Sequence, residues 1–98
     1  MPTVDFHPEA ADEAVAAQKW YADIDPTLGV EFSDALERAI FLIETTPQRW
    51  TQHLHGTRCI NLRRFPYLVI YRHSDDEIQV VAIQHSRRKP GYWNNRAP

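Results

Sequence analysis

The chain has 98 residues, 43% of them apolar and 24% charged, with a formal net charge of −2. That mixture suits one small domain with a single core and does not suit a disordered chain. No apolar run approaches the length a bilayer crossing needs, so no membrane association is expected. The single Cys59 excludes an intrachain disulfide, and the opening Met1-Pro2-Thr3-Val4 lacks a charged-then-apolar leader, so a cytoplasmic protein is expected.

The small net charge hides a division. Met1 to Thr57 carries three Lys/Arg against ten Asp/Glu, a balance of −7, and Arg58 to Pro98 carries eight against three, a balance of +5. Such segregation predicts either an acidic and a basic face, or two halves that neutralise each other in the fold.

Thr3 to Phe6 reads as a first strand. Pro8 suits a helix's first turn, and Glu9, Asp12 and Glu13 favour its positive end. The Ala-rich stretch to Ile24 has high helix propensity. Ala11, Ala14, Val15, Gln18, Tyr21 and Ala22 fall near one face, with Gln18 the polar exception. Asp25-Pro26 breaks this helix, and a second starts near Thr27. Leu28, Phe32, Leu36, Ala39, Ile40 and Ile43 form its apolar stripe, and Thr45-Thr46-Pro47 ends it. The pair predicts an αα-hairpin.

Gln48 to Thr57 reads as a polar loop with Arg49, Trp50, His53 and His55. The period then changes to two. Strands are predicted over 58–63, 67–72 and 78–83, with turns at Phe65-Pro66 and at Ser74 to Glu77. Helices gathered before an antiparallel meander imply α+β: β-α-α-β-β-β, a helical hairpin on a mainly antiparallel four-stranded sheet. Strict alternation puts Gln79, Val81, Ile83 and His85 on one face of the last strand.

The chemistry concentrates at the end. Ile83-Gln84-His85-Ser86-Arg87-Arg88-Lys89-Pro90-Gly91-Tyr92-Trp93 joins a titratable histidine, three cations and two aromatics. A histidine can move a proton near neutral pH, and arginines can hold phosphate or carboxylate. RNA cleavage by the ribose 2′-OH needs a base, an acid and cations for the crowded phosphate. His85 fits the acid or base, with Arg58, Arg63, Arg87 or Arg88 as cations and Tyr92 to stack on a base. The structural alternative is a hydrogen-bonded His85, a solvated basic edge and aromatics that pack the tail. The histidines follow no recognised metal spacing, and no Gly-rich phosphate loop is present, so no metal or cofactor is expected.

Several strings then occur in a familiar order: Trp20-Tyr21, Leu28-Gly29-Val30-Glu31-Phe32, Leu36-Glu37-Arg38-Ala39, Pro47-Gln48-Arg49-Trp50, Leu62-Arg63-Arg64-Phe65-Pro66-Tyr67, Val69-Ile70-Tyr71-Arg72, and His85 through Trp93. Over nearly its whole length the chain resembles the RelE/ParE superfamily of toxins from type II toxin–antitoxin pairs. The resemblance implies a β-α-α-β-β-β fold and a cognate antitoxin protein that wraps and silences the toxin. It implies one of two targets: mRNA on the ribosome, cleaved by RelE-like members, or DNA gyrase, poisoned by ParE-like members without a nuclease site. RelE-like nucleases commonly place lysines after the second helix or a glutamate near the second strand. Gln48 to Leu62 holds neither lysine nor carboxylate, and the only lysines are Lys19 and Lys89. Relatives that use histidines there instead would match His53, His55 and His85. The mildly acidic charge also opposes tight ribosome binding, which rests on phosphate contacts.

The expectation is therefore a ParE-like gyrase poison. The alternatives are a ribosome-dependent mRNA endonuclease with His85, Arg58 and Arg63 as its catalytic set, and an inactive antitoxin-binding module. The partner-binding surface is expected at Arg64, Arg72, Arg87, Arg88, Lys89, Tyr92 and Trp93.

Overall fold

In the computed structural model, which describes residues 2–96, the chain begins with a four-residue strand, β1 (Thr3–Phe6). Two helices follow, α1 (Pro8–Ile24) and α2 (Pro26–Thr45). Each has proline in its first turn, where the missing N–H costs nothing. Asp25 serves both helices. Its backbone N–H closes α1 on the Tyr21 carbonyl, and its carboxylate accepts from the Thr27 N–H at 2.9 Å to cap α2. One residue between helices forces a tight hairpin, and Gly29 permits it. A Cβ there would lie 2.6 Å from the Cβ of Ala22.

Four more strands complete the sheet: β2 (Thr51–Gln52), β3 (Arg58–Asn61), β4 (Tyr67–Ser74) and β5 (Glu77–His85). Their spatial order is β1-β5-β4-β3-β2, with β1 parallel to β5 and every other pairing antiparallel. The α+β class and element order match the expectation. The sheet has five strands rather than four, because Thr51 and Gln52, within the expected loop, pair with Cys59 and Arg58.

The helix-facing side of the sheet carries Ile60, Val69, Tyr71, Ile78, Val80 and Ile83, packed against Ala10, Ala17, Phe32, Ala39 and Ile43. On α2 the expected stripe is the buried one. On α1 it is not. Ala10, Ala14, Ala17 and Tyr21 face the core, and Val15 is 67% exposed. A run of alanines offers little contrast in side-chain size, so periodicity there cannot fix the rotation of the helix.

Alternation also fails in β5. Ile70 pairs with Ala82 but Tyr71 pairs with Val80, so Val81 is an extra residue in the strand. This bulge flips the side-chain phase. Ile83 and His85 face the helices together with Ile78 and Val80, and Gln79 falls on the other side. On that far side Cys59, Ile70 and Ala82 make a second, smaller core around Trp93, which is fully buried. The Trp93 indole N–H donates to Gln84 Oε1 at 2.9 Å.

Candidate functional site

Three surfaces hold the polar chemistry. The first is a knot between α1 and the C-terminal tail. β1 covers β5 only as far as Val80. Beyond it, the Ile83 N–H donates to Glu13 Oε1 at 3.0 Å, and Arg96 Nη1 donates to the Val81 carbonyl at 3.0 Å. Arg96 grips Glu13 through both terminal nitrogens, at 2.8 and 3.0 Å, and the Tyr92 hydroxyl donates to Glu13 at 2.6 Å. Arg96 Nε lies 3.2 Å from Glu9. Side chains thus close an edge that no strand covers. Burial works against the charged Glu13 carboxylate, but hydrogen bonds from Arg96, Tyr92 and the Ile83 N–H outweigh it and hold the pKa below the usual carboxylate value. Burial and the bond to Glu13 push the Tyr92 hydroxyl well up. The acidic and basic halves of the chain therefore neutralise each other here, and again where Arg64 meets Glu31 at 3.5 Å.

The second surface is a groove of about 610 Å³ between α2 and the outer edge of β3. Ala39, Leu42, Trp50, Ile60 and Leu62 give it apolar walls, with Arg38 and Arg63 at its margins. β2 pairs only with Arg58 and Cys59. The Leu62 N–H turns inward to the Tyr67 carbonyl. By alternation, the N–H and C=O of Asn61 turn outward, where no strand lies beside them.

The third is a cleft of about 260 Å³ between α1 and the far end of β5, lined by Trp20, Tyr67, His85 and Arg88. The Tyr67 and His85 rings meet edge-on at 5.1 Å. The Arg87 N–H donates to His85 Nδ1 at 3.1 Å, so the neutral ring carries its proton on Nε2.

His85 and Arg58 do not come together. His85 is opposite Tyr67 and Arg58 is opposite Tyr71, two strands apart. At roughly 3.3 Å per residue and 4.8 Å per strand, their backbones are about 16 Å apart. Arg58 is committed to the Trp50 carbonyl at 2.7 Å, and Arg63 lines the β3 groove. His53 and His55 pack on Trp93, with ring centroids 6.0 and 5.9 Å away, so they do not join His85. No group of three His, Cys, Asp or Glu among the described residues could hold a metal ion.

The expected contact residues also divide. Trp93 is core. Tyr92 is tied to Glu13, with the Arg88 guanidinium 3.6 Å above its ring. Arg72 reaches the Arg96 carbonyl at 3.4 Å, and Arg64 is paired with Glu31. Arg87 and Lys89 are exposed and have no ion-pair partner among the described residues. Glu13, Arg96 and Trp20 were not singled out from sequence as functional. Trp20 alone left a signal, as an aromatic in one of the family strings.

Residues 4–90 match the model of the ParE toxin family, described as the ParE toxin of the type II toxin–antitoxin system parDE. The chain belongs to the ParE toxin family. The fold agrees with a solved structure titled as the chromosomal ParDE toxin–antitoxin system from P. aeruginosa. Identity to it is 19%, the match covers 87% of this chain and 96% of the other, and the TM-score is 0.63. At that identity the likeness speaks for the fold. No curated protein matches the sequence significantly. A ParE toxin is thus one half of a two-protein module, and no helix among the described residues is long and apolar enough to cross a membrane.

Proposed function

We propose that this ParE toxin arrests growth in the cytoplasm by binding DNA gyrase and stalling it on DNA, without a nuclease step, and that a cognate antitoxin silences it. The observation that carries this reading is the match of residues 4–90 to the ParE family, in a fold that holds Arg58 two strands and about four residues away from His85. Acid–base cleavage of RNA needs these groups within reach of one phosphate. The tautomer of His85 also opposes a base at Nε2, since that nitrogen carries the proton.

The β3 groove suits the antitoxin. It offers an unpaired strand edge, apolar walls for alternate side chains, and Arg38 and Arg63 for carboxylates. An extended acidic segment can add there as a sixth strand, with main-chain bonds giving affinity and side-chain pockets giving specificity.

Purified toxin should inhibit gyrase supercoiling, and equimolar antitoxin should restore it. Unchanged supercoiling at high toxin excess removes gyrase as the target. Cleavage of ribosome-bound mRNA that disappears in His85→Ala would bring back the nuclease.

A further inference from the structure

The cleft beside Trp20 borders the core at Ala17 and Ile83 and the tail knot at Glu13, and shares no residue with the β3 groove. Trp20 is 66% exposed, an unusual position for the largest apolar side chain. Its neighbours Ala16 and Ala17 are small, which leaves an open slot over Ile83 and Tyr67. Two polar groups at the slot, His85 and Arg88, have hydrogen-bond donors to offer. His85 presents Nε2–H, because Nδ1 is taken by the Arg87 N–H. Arg88 is held over the Tyr92 ring and 3.4 Å from Glu13, yet its side chain stays 53% exposed with N–H groups to spare. Glu13, the one carboxylate of the lining, already receives Tyr92, Arg96 and the Ile83 N–H. Arg87 and Lys89 continue the positive edge outward.

We infer that this cleft is the target-facing site of the toxin and takes an apolar side chain beside a carboxylate, presented by a segment of the protein target. The apolar group lies against Trp20, and the carboxylate meets His85 Nε2–H and Arg88. The cleft, at about 260 Å³, falls below the roughly 300–1,000 Å³ of small-molecule pockets and fits a side chain instead. A long polyanion is disfavoured, because exposed Asp12 and Glu9 of α1 carry negative charge on the same helix, while Asp23 is offset by Lys19. The identity of the target rests on the gyrase reading above, but the cleft does not. It lies on α1 and β5, away from the α2–β3 groove proposed for the antitoxin, so the two functions separate by mutation.

The test uses Trp20→Ala and Arg88→Gln in the full chain. Each should raise the toxin needed for half-maximal growth arrest and half-maximal gyrase inhibition by roughly tenfold or more, as loss of an interface anchor does. Thermal unfolding and antitoxin affinity should stay close to wild type. Wild-type potency in both assays overturns the inference. So does a parallel loss of antitoxin affinity, which would hand the cleft to the antitoxin. Variants that lose growth arrest, in a protein that leaves gyrase untouched, keep the cleft and remove gyrase. Binding is also read directly from the Trp20 indole N–H resonance. It should shift saturably with a short synthetic Glu/Leu/Asp peptide. A shift only with a single-stranded oligonucleotide, or with neither probe, refutes the assignment.

Discussion

Two edges of one sheet are treated in opposite ways. β5 runs past the end of β1, and β3 runs past the end of β2. At β5 the uncovered Val81 carbonyl and Ile83 N–H are met by Arg96 and Glu13. At β3 no strand among the described residues lies beside the outward groups of Asn61, which border the groove. An open strand edge invites pairing with another chain. One edge of this sheet is closed by a charged pair, and the other lies bare beside apolar walls, Arg38 and Arg63, the place proposed above for the antitoxin.

The contrast can be broken from the closed side. Trp93→Ala should have the largest effect. It empties the small core on which the tail sits, and large-to-small changes at buried tryptophan cost about 3–5 kcal/mol. Urea unfolding should show the loss, and a change below about 1 kcal/mol would mean that the tail is not part of the cooperative fold. Glu13→Ala should come next. Glu13 and Arg96 are only 16% and 11% exposed at the side chain. Removing one partner of such a pair costs about 3 kcal/mol, and should speed hydrogen exchange at the Ile83 amide.

Acid probes the same knot. The pKa of Glu13 is depressed in the fold, so its contribution is complete above the unfolded-state value and fades as pH falls through the folded one. Stability of the wild type should decline on acidification more steeply than that of Glu13→Gln. Parallel curves would show that Glu13 is not the group responsible. Gly29→Ala tests the frame shared by both edges. A new Cβ 2.6 Å from that of Ala22 must push the helices apart, at about 1–3 kcal/mol.

The smallest effect is expected at the open edge. Arg38→Glu with Arg63→Glu should leave unfolding unchanged and weaken antitoxin binding about tenfold, mostly through slower association. Toxicity should persist in cells that carry the antitoxin. Unaltered affinity would place the antitoxin elsewhere.

Much of this was legible in the chain. Asp25-Pro26 marked the hairpin because each residue has a local job: one caps, and the other cannot continue a helix. The stripe of α2 was readable because Phe32, Leu36 and Ile43 contrast sharply with their charged neighbours. The family strings pointed to the fold and the toxin class, and residues 4–90 match that family. The site was less legible. His85, Arg58 and Arg63 were grouped by residue type, yet strand pairing holds His85 and Arg58 apart. The bulge at Val81 turned His85 toward the helices together with Val80, and nothing in the run Val80-Val81-Ala82 announces which residue is extra.

The sequence by itself determined the two helices, the first strand and the three strands of the meander, and that its charge is divided between its halves. Those properties depend on neighbours within a few residues. Tertiary structure decided what the charges do. Arg96 and Arg88 are both cations of the basic half, but one is buried against Glu13 across 83 positions of chain and the other stays largely in solvent. That distinction depends on where β1 stops covering β5, a matter of register and length between distant strands, which no local pattern encodes.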